Sequence, residues 1–385
     1  MKCNSCLAKS TCLIQPCKQF GAKLFGKNIL KIAIIGTVGV PARYGGFETL
    51  AEQLAKGIKP EAHQLVIYCQ RTAYPELDGG ECFEGHQRVL LPLRANGPAS
   101  MVHDMLAMAH AALIAKVDTM LVLGYSGAWF LPFVRLLQPR IRVITNIDGM
   151  EWRRDKFGRF ARTLLRTLES FATRFSHVII ADNAALVTIA KEIHDTDSVL
   201  IAYGGDHTLV QAAPPVLSPG YFLSIARIEP ENNCHVILAA CAHAGVRLAF
   251  VGNWEANAYG RGLKAQFANL PNLILLDAIY DQSKLSALRL GAACYIHGHS
   301  VGGTNPSLVE ALFHTTRLLA FDCVFNHATL AEAGAYFGTR EELETLLTSP
   351  DSGQIDSHSL SSLRQRYRWE TIIDLYLKTC TFVTA

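Results

Sequence analysis

KIAIIGTVGVPARYGGFETLAEQLAKG, residues 31–57, sets a buried strand, a glycine-rich loop and a helix in direct succession. Ile32 to Ile35 is an apolar, largely β-branched run, and Phe47, Leu50 and Leu54 recur at helical spacing up to a stop at Gly57. The loop between them ends at a helix N-terminus, where free backbone N–H groups and the positive end of the helix dipole attract anions. Gly36, Gly39, Gly45 and Gly46 have no Cβ to hold a pyrophosphate off the backbone. A nucleotide-type ligand is the expectation. A dinucleotide cofactor is not, because its fingerprint needs Gly-x-Gly-x-x-Gly and a carboxylate about 20 residues on, at the end of the next strand. Here the first glycines are spaced Gly36-x-x-Gly39, and the next strand, Gln64 to Tyr68, runs into Cys69, Gln70 and Arg71.

The chain has 385 residues, half of them hydrophobic, and exceeds the ~250–300 residues at which single cores stop growing, so two domains are expected. A net charge of +3 is too small to argue for nucleic acid as a partner. Its distribution is uneven: Lys2, Lys9, Lys18, Lys23, Lys27 and Lys31 precede the first acidic residue, Glu48, so that residues 1–30 form a basic arm. Lysines and cysteines interrupt the arm before a secretory core can form, and a cytoplasmic protein is expected. Eleven cysteines spread through apparent strands and helices read as reduced, mostly buried thiols. Cys3, Cys6, Cys12 and Cys17 cluster in the arm with a C-x-x-C start that could ligate zinc or a cluster, but the remaining spacings match no standard metal site. Thr119 to Val134 is uncharged, yet at about 16 residues it falls short of the ~20 that a membrane span needs. A buried strand, Met120 to Leu123, then a loop and a short helix fit it better.

Strands and helices alternate after the arm: strand 31–35, helix 47–56, strand 64–68, helix 101–114, strands 119–123 and 141–146, helix 156–174, strand 177–181. Alternation of this kind predicts a parallel sheet covered on both faces. Residues 209–220, LVQAAPPVLSPG, are proline-rich and aperiodic and read as a linker. A second alternating series follows, with strands at 221–226, 247–251, 273–276, 293–296 and 318–321. The expected division is one Rossmann-like domain over 31–208, a second over 221–360, and a C-terminal helical segment, 361–385, able to pack back on the first. Two such α/β domains leave a cleft between their carboxyl strand ends, where sheets of this type bind ligands.

His297 to Leu312, HGHSVGGTNPSLVEAL, is the second chemically loaded segment. A buried strand ends in a Gly302-Gly303 turn, and Pro306 suits the first helical position after an Asn305 cap. Glu310, one turn into that helix, is placed to accept sugar hydroxyls. Together, SIARIEPENN at 224–233 and this segment resemble the donor half of retaining, two-domain (GT-B, family 4-like) nucleotide-sugar glycosyltransferases, over residues 31 to about 375. The resemblance implies that Arg227 binds the donor pyrophosphate and Glu310 the ribose. More narrowly, GVPARYGGFET, NIDGMEWRRDKFG and HSVGGTNPSLVEA resemble a bacterial rhamnosyltransferase branch with a DUF1972-type N-terminal domain, which adds rhamnose to lipid-linked glycans in cell-wall or capsule assembly. Two positions depart from the pattern: Gly302 stands where the superfamily has a second Glu, and Asn232 where it has a Lys. With that charge missing, Arg227, the N–H groups of Gly302, Gly303 and Thr304, and Arg43 are left to neutralise the leaving diphosphate, while His299 takes the place of the missing Glu.

The implied chemistry is sugar transfer, with retention, from a nucleoside diphosphate sugar such as dTDP-rhamnose to a hydroxyl, without a metal or other cofactor. Related GDP-mannose, UDP-glucose or UDP-N-acetylglucosamine transferases, or a non-catalytic nucleotide-sugar-binding protein, are the alternatives. Asp148 follows its strand directly and is the expected base for the acceptor, with Tyr44, Glu151, Trp152 and Arg153 beside it on the acceptor side. Asp195 and Asp197 form an Asp-x-Asp in a polar turn and read as chance. Between Trp152 and Arg174, basic residues interleave with Phe157, Phe160, Leu164, Leu165 and Leu168. With the arm, this pattern predicts peripheral contact with an anionic membrane on its cytoplasmic face, where a lipid-diphosphate-linked acceptor would be met.

Overall fold

The computed structural model describes residues 29–43, 45–76, 82–147, 149, 152 and 158–381. Residues 1–28 of the basic arm, with Cys3, Cys6, Cys12 and Cys17, and also Tyr44, Asp148, Glu151 and Arg153, lie outside the described residues.

The first domain carries β1 (Lys31–Ile35), α1 (Gly46–Gly57), β2 (Gln64–Gln70), β3 (Cys82–Phe83), β4 (His86–Leu91), α2 (Ser100–His110), β5 (Thr119–Leu123), α3 (Leu131–Leu137), β6 (Arg142–Ile147), α4 (Arg159–Phe175), β7 (Val178–Ala181), α5 (Ala184–His194) and β8 (Ser198–Leu200). Its strands order as β3-β4-β2-β1-β5-β6-β7-β8, parallel except for the β3/β4 hairpin. Period-2 alternation sorts each central strand between two cores. Ile32 and Ile34 face one core with α1, while Ala33 and Ile35 face the other with α2, α3 and α4. The β3/β4 hairpin is absent from the sequence-based expectation because β3 is very short and two of the three buried positions of β4 are polar. His86 is 1% exposed and accepts from Leu65 N, and the buried Arg88 donates to Val40 O.

Leu209 to Gly220 contains no regular element and leads into the second domain. There β9 (Tyr221–Ile225), α6 (Cys234–His243), β10 (Leu248–Val251), α7 (Ala258–Phe267), β11 (Leu273–Leu276), α8 (Gln282–Gly291), β12 (Ala292–His297), α9 (Pro306–Leu312), β13 (Leu318–Phe321), α10 (Val324–Leu330), β14 (Ala335–Phe337), α11 (Arg340–Thr348) and α12 (Ser357–Arg366) build an all-parallel sheet ordered β11-β10-β9-β12-β13-β14. In both sheets the order reverses beside the first strand, between β1 and β5 and between β9 and β12, which are the crevices where such sheets bind ligands.

The chain then crosses back. Residue 361 falls inside α12, whose Leu360 and Leu363 stay in the second domain's core; the return comes only at Tyr367 to Trp369. The last helix, α13 (Trp369–Thr381), lies on the first domain, burying Trp369, Ile372, Tyr376 and Cys380 with α1. Asn146 at the end of β6 donates to the Tyr376 hydroxyl at 2.7 Å. Cys69, Cys234, Cys241, Cys294, Cys323 and Cys380 are free thiols; Cys82 is disulfide-bonded and departs from the expectation of reduced cysteines. No described helix is long and apolar enough to cross a membrane.

Trp369→Ala, which empties a fully packed aromatic site, is expected to cost about 3–5 kcal/mol of folding stability. Tyr376→Phe, which leaves the Asn146 amide without its acceptor, should cost about 1–3 kcal/mol. Denaturant unfolding monitored by circular dichroism measures both.

Candidate functional site

At the first crevice the glycine loop serves two purposes. Gly36 lets the chain turn tightly against β5: a Cβ there would stand 2.0 Å from Leu123 O. Further along, Glu48 from the first turn of α1 reaches back into the loop, accepting from Val38 N at 2.9 Å and lying where a side chain on Gly45 would go. Burial raises the Glu48 pKa, with the loop's hydrogen bonds opposing that rise. Part of the loop's anion-binding backbone thus already holds a carboxylate. Gly46 faces the opposite domain: a Cβ there would lie 3.5 Å from Pro306, and 3.8 Å from the ring of Tyr203 in its own domain.

At the second crevice Arg227, Asn232, His299, Gly302, Gly303, Thr304 and Asn305 come together at the carboxyl ends of β9 and β12. Asn232 is 3% exposed, with its amide N–H donating to Arg227 O at 2.6 Å and its amide oxygen bonded to His299 Nδ1. It acts as a bracket between the two loops, whereas a lysine there would need room for a charge. The position of the missing Glu has an equally local cause. Gly302 has φ +115°, a conformation that L side chains rarely adopt, and its Cβ would approach His299 Nε2 at 3.2 Å. Asn305 caps α9 through Ser307 N. The Arg227 guanidinium is 44% exposed at the cleft, and its ion pair with Glu229 is long, at 3.9 Å.

The domains touch across the cleft at Asp182, the residue after β7. Its carboxylate accepts from Thr304 N at 3.2 Å, its carbonyl accepts from the Thr304 hydroxyl, and a Cβ on Gly303 would stand 1.8 Å from Oδ1. Asn183 adds donations to Thr304 Oγ1, Phe325 O and Thr329 Oγ1. The glycine turn that was expected to bind phosphate therefore holds a carboxylate of the other domain.

Glu310 lies deeper, at the back of the interface. Arg289 of α8, itself buried, donates to Oε2, and His207 Nε2 stands 3.4 Å from Oε1. Burial would raise the Glu310 pKa, but Arg289 first and His207 after it bring it below the ordinary carboxylate value. Tyr203 completes the pocket edge-on to Trp369 and His207, its hydroxyl pushed far up by burial. His314 bonds Thr208 Oγ1 at 3.0 Å, and burial, then Arg289, lower its pKa to about 4.

Other expected residues sit elsewhere. Arg43 donates to Ala73 O, pairs with Glu76 and stacks over Tyr74, so it does not stand free for a diphosphate. Trp152 donates to Glu169 at 2.6 Å under Arg166, between α4 and α5. Asp195 and Asp197 both pair with Lys191. A cavity of about 360 Å³ lined by Val187, Lys191, Glu192, Thr196 and Asp197 lies at the far end of α5 from Asp182 and contains none of the cleft residues. Asp182, Tyr203, His207 and Arg289 escaped the sequence reading. Asp182 had a usable signal, since it follows a predicted strand of the first domain as Asp148 does; Arg289 looks like any solvated helix arginine until the fold buries it.

Residues 29–206 match a family described as a domain of unknown function, DUF1972. No curated protein matches the chain in sequence. Among solved structures, it is similar to a sucrose-phosphate synthase from Thermosynechococcus elongatus (14% identity, TM-score 0.75, 91% of this chain and 99% of that one). HepE from Anabaena, solved with UDP and glucose, matches at 16% identity and TM-score 0.66 over 91% and 99% of the two chains. A trehalose-6-phosphate protein from E. coli, bound with UDP-2-fluoro glucose, matches at 10% identity and TM-score 0.66 over 92% and 99%. The chain has the GT-B fold, two Rossmann-like α/β domains facing across a cleft.

Because the folded pKa of His314 lies below its unfolded value of 6.5, the unfolded state binds the extra proton as pH falls from about 6.5 to 4, and folding stability is lost over that window. His314→Gln should flatten the dependence of the urea midpoint on pH across the same window. An unchanged slope would show that His314 is not the group responsible.

Proposed function

We propose that the protein is a retaining glycosyltransferase that takes its sugar from a nucleoside diphosphate donor. The observation that carries the reading is the convergence of two sheet switch points on one cleft, with the exposed Arg227 guanidinium and the Gly302 to Thr304 backbone on one wall and Gly46 on the other. Cleavage of the glycosyl–phosphate bond builds positive charge on the sugar ring and negative charge on the departing phosphate. Arg227 and the loop N–H groups meet the second of these charges, so no divalent metal is called for. Glu310, kept ionised by Arg289 and His207, retains oxygen lone pairs to accept ribose hydroxyls. Asp148 is the proposed base for the acceptor hydroxyl.

Dispositions of the finer kind rest on the sequence resemblance: rhamnose from dTDP-rhamnose as the sugar, a lipid-diphosphate-linked saccharide as the acceptor, and a peripheral place on the cytoplasmic face of the plasma membrane. Incubation of the pure protein with dTDP-rhamnose, UDP-sugars and GDP-sugars and a lipid-diphosphate acceptor tests these together. Turnover with another donor would replace rhamnose. Saturable nucleotide binding without any turnover would leave a binding protein.

Arg227→Ala should lower kcat by about 10²-fold, the typical loss of one preorganised donor to a developing anion. Asp182→Asn, which removes the negative charge seated on Thr304 N, should tighten binding of the nucleoside diphosphate several-fold in calorimetric titration. Unaltered affinity would mean that the diphosphate does not use this loop.

A further inference from the structure

One face of the first sheet is covered by α2, α3 and α4; the outer sides of α2 and α3 are largely apolar where solvent should favour polarity, and that of α4 sets Phe160 and Leu164 among arginines and hydroxyl residues. Of the eighteen exposed large hydrophobic side chains among the described residues, nine sit on these three helices or on the π-helical turn Ala111–Ala115 that ends α2. Helix α3, LPFVRLL, is apolar on both sides: Leu131 and Val134 face the core, while Phe133, Leu136 and Leu137 are 50%, 78% and 63% exposed. Ile114 at the end of α2 is 70% exposed and Phe160 at the start of α4 is 84% exposed. A helix that is hydrophobic all round is ordinarily buried. Exposed patches of this kind mark docking surfaces.

Among the described residues the exposed charge around the patch is predominantly positive. Lys116, Arg140, Arg159, Arg166 and Arg174 are exposed on or beside the same helices. From Ser100 to Phe175 the described residues hold three acidic side chains. Asp104 is buried against Ser126 and His103, Glu169 is buried against Trp152 and His194, and Asp118 accepts from Lys31 N. A second copy of the chain docking through a two-fold axis would set this cationic patch against itself. An anionic bilayer complements both features at once, since cations engage lipid headgroups while large apolar side chains enter the acyl boundary.

We infer that the α2–α3–α4 face is the membrane-docking surface of the protein, with α3 as its inserting element and the surrounding arginines as its electrostatic contacts. This deepens the proposed function, for α4 begins at the cleft end of the first domain and would bring a lipid-linked acceptor to the donor. The full chain should co-sediment with vesicles of phosphatidylglycerol and phosphatidylcholine, weakly with phosphatidylcholine alone, and less as salt is raised. The triple variant F133S/L136S/L137S, altered at exposed positions and checked for an unchanged melting temperature, should bind the anionic vesicles at least about tenfold more weakly. R140E/R159E should weaken the same binding and flatten its salt dependence. Wild-type affinity in the triple variant overturns the assignment in favour of another surface, the basic arm included. A wild-type chain that ignores vesicles overturns it too, whether the chain is monomeric or is a dimer that the triple variant dissociates. Titration of nucleoside diphosphate in the absence of lipid reads the cleft separately, so retained donor binding without vesicle binding sinks this inference alone.

Discussion

The relative placement of the two sheets rests on an indole seated against bare backbone. Trp369 packs over Gly204, where a Cβ would lie 2.6–2.8 Å from the ring, and its backbone and indole N–H groups donate to Asp206 and His207. The chain passes between the domains twice, after β8 and again after α12, and both passages meet at this point, where Gly205 N also donates to Tyr367 O. Because α13 continues from Trp369 into the core under α1, the hinge is anchored in the first domain's hydrophobic interior, not in surface contacts. The cleft opens from this corner, and His207 and Tyr203, part of the same aromatic cluster, are also neighbours of Glu310. Structural anchor and site share side chains.

Both candidate anion loops hold a carboxylate of the protein itself, Glu48 in the first and Asp182 in the second. Backbone N–H groups gathered at a glycine turn are costly to leave unpaired when buried, so in a closed cleft something negative or polar must meet them. The two occupants differ in consequence. Glu48 belongs to its own loop and fixes its shape; Asp182 comes from the opposite domain and ties closure of the cleft to the occupancy of the Gly303–Thr304 backbone. On the proposed function, closure and diphosphate binding would draw on the same donors.

The departures from the glycosyltransferase pattern acquire local reasons at this level. Asn232 is a buried bracket joined to Arg227 and His299, and Gly302 adopts a backbone conformation in which a glutamate would be strained. The two substitutions are coupled through His299, which contacts both positions, so they read as one rearrangement of the second crevice and not as two separate losses.

Composition, period and loop chemistry suffice to read most of the fold from the chain itself. Strands of parallel sheets are short continuous apolar runs, and glycine turns before helices mark the switch points; strands over 31–35, 119–123, 273–276 and 318–321 are legible to the residue for that reason, even though 273–276 is a partly buried edge strand. The β3/β4 hairpin was not, because β3 is only two residues long and two of the three buried positions of β4, His86 and Arg88, are polar and satisfy backbone groups far away in sequence, which leaves Leu90 without an alternating apolar pattern around it. The loops that line the cleft were equally legible, since glycine, proline and cap residues act within a few positions of themselves. What only the tertiary structure decided is which charges meet in the cleft: Asp182 on Thr304, Arg289 and His207 on Glu310, Arg43 turned to Glu76. Local conformation is set by neighbours in sequence, whereas the partner of a charge is set by whichever group the packed domains bring within a few ångströms, and no period in the chain records that.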